Sequence, residues 1–154
     1  SNISQLDFDF DEAIQNINLF GKKISLPCKF EELGEEFTLE SGVPVFESDL
    51  LYLLHYKGER IGSVVLKNCN INEKPDDKDI IALDLDNYFI DEQFSIMGIG
   101  FNSTRNEILK TFGSPFKQDD MQLYYGLSFD KNVCFMFLDN ETEKPSKIHI
   151  IVEE

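Results

Sequence analysis

The residues able to do chemistry here are two histidines, three cysteines and a large excess of carboxylates. His55 and His149 stand far apart, and a metal centre around either would need further ligands at set spacing, which the sequence does not supply. Cys28, Cys69 and Cys134 are odd in number and form no Cys-x-x-Cys pair, so a zinc ribbon or thioredoxin-type redox motif is excluded. Cys134 with a histidine would be the candidate thiol nucleophile. Its setting, Val133-Cys134-Phe135-Met136-Phe137, is an apolar strand that disfavours a thiolate, so a structural thiol is expected. A serine nucleophile would need a turn of the Gly-x-Ser-x-Gly kind, and there is none.

Two further patterns touch ligand chemistry. Asp7-x-Asp9-x-Asp11 resembles the opening of a calcium loop, but Glu12 stands where the loop needs glycine and Asn18 where it needs the closing glutamate. Asp84-x-Asp86-Asn87 and Asp76-Asp77-x-Asp79 lack the same two residues. Gly98-x-Gly100-x-x-Ser103 follows a strand and opens a helix, as in dinucleotide sites, where glycines let backbone amides approach a pyrophosphate. The third glycine is Ser103 and the strands that follow form a hairpin, so no parallel crossover unit is present to complete such a site. No paired carboxylates sit in the apolar surroundings that raise a pKa. The sequence therefore reads as non-catalytic and without a cofactor.

The formal net charge of −15, from 29 acidic and 14 basic residues, repels phosphate backbones and disfavours anionic lipid. No nucleic-acid partner is expected on that ground. No apolar run approaches the ~18–20 residues of a membrane span, so direct membrane insertion is not expected.

Two stretches of the chain match at a constant offset of 73. Leu50, Tyr52, Leu54 and Tyr56 meet Leu123, Tyr125, Leu127 and Phe129, two residues apart as on one strand face. Each stretch reads as a hairpin with a short polar turn, around residues 57–59 and 130–132. A lead-in segment and a helix precede each hairpin, and a third strand follows, at residues 80–85 and 147–152. The polar residues 70–79, with Pro75, read as a loop inside the first unit. In the first unit only Phe30, Leu33 and Phe37 can face a core, between Glu31, Glu32, Glu35 and Glu36, so that helix should be short. Phe10, Ile14 and Ile17 form one stripe of a further helix in residues 8–19.

The second helix is fully punctuated. Thr104-Arg105-Asn106-Glu107 fits a capping box, Ile108, Leu109 and Phe112 repeat at helical spacing, and Gly113 and Pro115 stop the helix. The segment from Gly98 through Glu107 and Ile108 to Gly113-Ser114-Pro115 resembles the Gly-x-(Ser/Thr)-x-x-Glu-(Val/Ile)…(Phe/Leu)-Gly-x-Pro stretch of a known superfamily. That superfamily comprises beta-lactamase inhibitory protein and the SmpA/OmlA outer-membrane assembly lipoproteins. The resemblance implies helices packed on an antiparallel sheet, tandem repetition of the unit, and an extracytoplasmic, lipid-anchored or secreted protein that acts by binding other proteins. The second unit carries the pattern, whereas the first lacks Gly-x-Pro after its helix. No functional residue carries over, because the motif is capping and turn chemistry.

The expected fold is α+β: a tandem repeat of a helix plus a three-stranded antiparallel unit, with helices on one face of the sheet. Residues 1–22 form an N-terminal segment, 23–86 the first repeat and 87–154 the second, in one compact domain. The Leu50/Tyr52/Leu54/Tyr56 face and its mates should meet the helices. The opposite face then carries Leu51, Leu53, His55, Tyr124, Ser128, Cys134, Met136 and His149. That face is apolar for one that meets water, so either the N-terminal segment or a partner covers it. The functional expectation is a non-catalytic protein-binding module with Tyr124 as anchor and Leu51, Leu53 and Met136 around it. A small-ligand or metal-binding domain using the same face is the alternative. An extracytoplasmic setting requires a leader removed before Ser1, since these residues contain no signal peptide, and a cytoplasmic setting is the alternative.

Overall fold

A computed structural model describes residues 8–45, 48–90, 92–139 and 141–153. The chain forms α1 (Phe10–Ile14), β1 (Ile17–Leu19), β2 (Lys22–Ile24), β3 (Cys28–Lys29), a 3-10 turn (Phe30–Leu33), β4 (Phe37–Val45), β5 (Asp49–Tyr56), β6 (Glu59–Leu66) and β7 (Asp79–Asp86). There follow β8 (Phe94–Ile96), α2 (Arg105–Phe112), β9 (Lys117–Asp119), β10 (Gln122–Ser128), β11 (Lys131–Met136) and β12 (Lys147–Val152).

Strand dominates this structure, at 47% against 12% helix, and that overturns the expected α+β tandem repeat of helix plus three strands. The main sheet is antiparallel and has nine strands, in the order β4-β5-β6-β7-β12-β11-β10-β9 with β3 pairing β7. Three strands of this sheet escaped the sequence pattern: the two-residue β3, β4 and β9. β4 reads Phe-Thr-Leu-Glu and then breaks at Ser41-Gly42 and Pro44, and β9 is Lys-Gln-Asp, with no side chain buried. The expected first helix is only a 3-10 turn, its backbone held by the Lys29 amide donating to Glu32 Oε2 at 2.7 Å.

The lead-in segments are also strands. They sandwich β1 in a three-stranded sheet of order β2-β1-β8, with Ile17 opposite both Ile24 and Ile96 and Leu19 opposite Phe94. These five side chains are buried in the one continuous core. The N-terminal helix expected over residues 8–19 ends at Ile14, and Ile17 belongs to β1. Asp9 caps this short helix by accepting the Glu12 amide at 3.0 Å, so it serves the backbone. Asp7, the first residue of the calcium-like pattern, lies outside the described residues.

Helix α2 is built as its sequence dictates. Thr104 Oγ1 accepts the Glu107 amide at 3.2 Å, and the Thr104 amide donates to Glu107 Oε1 at 2.9 Å. Gly113 follows at φ 83°, in the region glycine favours, and its amide donates to Leu109 O. Ile108 and Phe112 enter the core. Arg105 then fastens the helix to the loop before β12: Nε donates to Thr142 O at 3.1 Å, and the guanidinium lies 3.9 Å from the Phe137 ring centre.

Antiparallel register decides which side chains share a face. Tyr52, Val64, Leu83, Ile150, Val133 and Tyr125 lie directly opposite one another in a row across β5, β6, β7, β12, β11 and β10. Tyr52 and Tyr125 therefore point to the same side, and all six residues are buried. On this inner side Phe8 stacks on Phe112 at 5.4 Å and meets Tyr125 at the same distance, while Phe20 stacks on Tyr56 at 3.7 Å.

Candidate functional site

The outer face is built by the alternate residues of the same strands. One of its rows runs Glu40, Leu53, Ser63, Asp84, His149, Cys134, Tyr124 and Lys117. A second runs Val43, Leu51, Val65, Ala82, Ile151, Asn132 and Gly126. The described helices and the small sheet pack on the opposite side, contributing Phe10, Ile14, Ile17, Leu19, Ile108 and Phe112 to the core. The described part of the N-terminal segment thus joins the inner side, and it does not cover the outer face.

All four expected partner-contacting residues, Leu51, Leu53, Tyr124 and Met136, lie on this outer face and are half-buried. They do not form one cluster. Met136 is diagonal to Tyr124 on the neighbouring strand. Leu53 is five strands from Tyr124, about 24 Å at the usual interstrand spacing. Leu51 and Leu53 thus occupy one half of the face, Tyr124 and Met136 the other.

Between the halves lies a polar strip. Asp84 Oδ2 is 3.8 Å from Lys147 Nζ and 3.8 Å from His149 Nδ1. Asp86 Oδ2 is 4.0 Å from the same Lys147. Asp84 Oδ1 and His149 Nδ1 are both buried without a hydrogen-bond partner in the structure. Cys134 is the cross-strand neighbour of His149, so a thiol, an imidazole and a carboxylate stand in line on β11, β12 and β7. The thiol is unsuited to attack. It is only 3% exposed and donates to Gln122 Oε1 at 3.5 Å. Burial, with the charges of Asp119 and Asp84, pushes its pKa up to about 11. Cys28 is pushed up to about 12, again chiefly by burial. No group of three His, Cys, Asp or Glu among the described residues could hold a metal ion.

Two residues reach the outer side against expectation. Leu127 and Phe129 were to face the helices with Leu54 and Tyr56. A β-bulge between Gly126 and Ser128 shifts the register, leaving Leu127 64% and Phe129 73% exposed. Phe129 now stands over a groove of about 250 Å³, whose apolar floor includes Leu51, Val65, Ala82 and Ile151 and which His149 also borders. It also lines a second hollow, with Phe116 and Tyr124, toward the β9 edge. Alternation alone carries no signal for a one-residue bulge; Gly126 inside the strand was the only hint.

The dinucleotide-like glycines have a local purpose. Gly98 and Gly100 shape the tight turn that brings Ile96 opposite Ile99, and the Gly100 amide donates to Ser103 Oγ at 3.0 Å. A side chain at Gly100 would begin 2.5 Å from the Phe94 carbonyl oxygen, which explains the residue without a phosphate. Among the described residues no helix is long and apolar enough to cross a membrane. No protein-family model, curated protein or solved structure matches this chain.

Proposed function

We propose that this protein is a non-catalytic protein-binding module that presents the outer face of its main sheet to a protein partner. The observation that carries this reading is the apolar character of a face that the described helices leave uncovered. An antiparallel sheet with one solvated face ordinarily alternates apolar inward and polar outward. Here Leu51, Leu53, Val65, Ile151, Tyr124 and Met136 all point outward. Phe116, 80% exposed, and Phe129 add large apolar side chains at the rim. Large apolar side chains gathered on an uncovered face mark interaction sites. The Asp84–Lys147–His149 strip between the two apolar halves would orient the partner, as polar groups in an interface fix register more than they add affinity. The extracytoplasmic setting belongs to the same proposal, and it rests on the superfamily resemblance of the α2 segment.

A photo-crosslinking amino acid placed in turn at Leu53, Tyr124 and Lys57 tests the reading in cells expressing the full-length protein. Lys57 sits in the exposed β5–β6 turn, at one end of the sheet. The expected result is one common adduct from Leu53 and Tyr124 and none from Lys57. Equal crosslinking from all three positions would sink the proposal.

A further inference from the structure

The groove on the outer face has a chemistry of its own. Its floor is made by Leu51, Val65, Ala82 and Ile151, which stand side by side on β5, β6, β7 and β12. Ala82 is the smallest of the four, so the floor dips at the centre of the sheet. The bulge after Gly126 turns Phe129 out to form a wall. A cavity of about 150 Å³ lined by such side chains admits benzene. At about 250 Å³ this one has room for a large aliphatic or aromatic side chain. Its charged rim is carboxylate at one end, where Asp130 and Glu153 stand at the β11–β12 side, joined by the Glu153 amide donating to Asp130 O at 3.0 Å; Asp49 at the β5 side is buried and accepts the Asn68 amide at 3.0 Å.

We infer that this groove receives a bulky apolar side chain from a segment of another protein that carries lysine or arginine beside it. The inference rests on the proposed binding role of the outer face and names the chemistry of the partner. Asp130 and Glu153 supply the charge complementarity, and the whole chain, at −15, draws a basic segment toward it. The same charge opposes a second copy of this chain as the occupant. β-strand addition at the sheet edges is a poorer route. β4 is interrupted by a register shift between Glu40 and Val43 and carries Pro44, and β9 is three polar residues long.

The test uses the full chain and three labelled peptides read by fluorescence polarisation. They are Lys-Lys-Leu-Phe-Leu-Lys-Lys, the same peptide with Ser-Ser-Ser at its centre, and the Leu-Phe-Leu peptide flanked by glutamates. Only the first should bind measurably tighter than the other two. Ala82→Phe, which fills the dip, should raise its Kd about tenfold or more. Asp130→Asn combined with Glu153→Gln, at sites outside the core, should weaken it about threefold to tenfold and flatten its salt dependence. Lys57→Ala, in the exposed β5–β6 turn away from the groove, should leave it unchanged. If the serine peptide binds as well as the first, or if both groove variants keep full affinity, the inference is overturned. Loss of partner binding in Tyr124→Ala alone would then still leave the outer-face reading standing, whereas partner binding indifferent to both Ala82→Phe and Tyr124→Ala would remove both.

Discussion

Thr104 and Gly113 bracket α2 with contacts confined to a few neighbouring residues, which is why both were legible in the sequence. Removing the Thr104 hydroxyl leaves the Glu107 amide without its acceptor. Thr104→Ala should cost about 1 kcal/mol. Gly113→Val should cost more, because a β-branched side chain is strained at φ 83°. Urea midpoints measure both, and unchanged midpoints would mean that the helix is not held by its caps. Cys134 makes the opposite case: its type invites a catalytic reading, and its surroundings answer it. Burial pushes its pKa up to about 11, so the thiol stays protonated at pH 8. Iodoacetamide should therefore modify native Cys134 far more slowly than the urea-unfolded chain, as followed by peptide mass spectrometry. A native rate equal to the unfolded one would contradict the burial described here.

Elements were legible where one period ran unbroken, and they were missed where it broke. The hairpin strands β5 and β6 show the period of two, and β12 matches the expected 147–152. β4 was missed because Ser41, Gly42 and Pro44 interrupt its alternation, and β9 because an edge strand with no buried side chain has no hydrophobic pattern to read. Phe10, Ile14 and Ile17 fit a helix stripe, but Ile17 with Leu19 equally fits a strand face, and pairing with β2 and β8 decides for the strand. Tyr125 joins elements that periodicity cannot connect. Its hydroxyl donates to Gly113 O at 2.8 Å, tying β10 to the end of α2 inside the core. Burial raises its phenol pKa well above the usual tyrosine value, so it remains a donor across the physiological range. Tyr125→Phe keeps the ring and leaves that carbonyl unpaired, with an expected loss of about 1–2 kcal/mol in chemical denaturation. No loss would mean that the tie carries no weight.

At the scale of the molecule, the local match at offset 73 correctly put Tyr52 and Tyr125 on one face, yet the fold class drawn from it was wrong. Segments expected to be lead-ins pair around β1, and additional strands extend the sheet at both edges, so strand outweighs helix. The partner-contact candidates were legible as outward-facing residues, because alternation assigns faces. Their separation into two halves was not, since it depends on β7 and β12 meeting at the centre of the sheet. The central claim is that this outward apolar face serves binding and leaves stability to the inner core. Tyr124 is the residue to test, half-buried on that face with its hydroxyl donating to Ser128 O at 3.2 Å. The most direct measurement pairs the affinity of Tyr124→Ala for a crosslink-identified, purified partner with its melting temperature. The account predicts a Kd raised about tenfold or more, in the range of an aromatic interface anchor, with a melting temperature within a few degrees of wild type. A lowered melting temperature with unchanged affinity would contradict it.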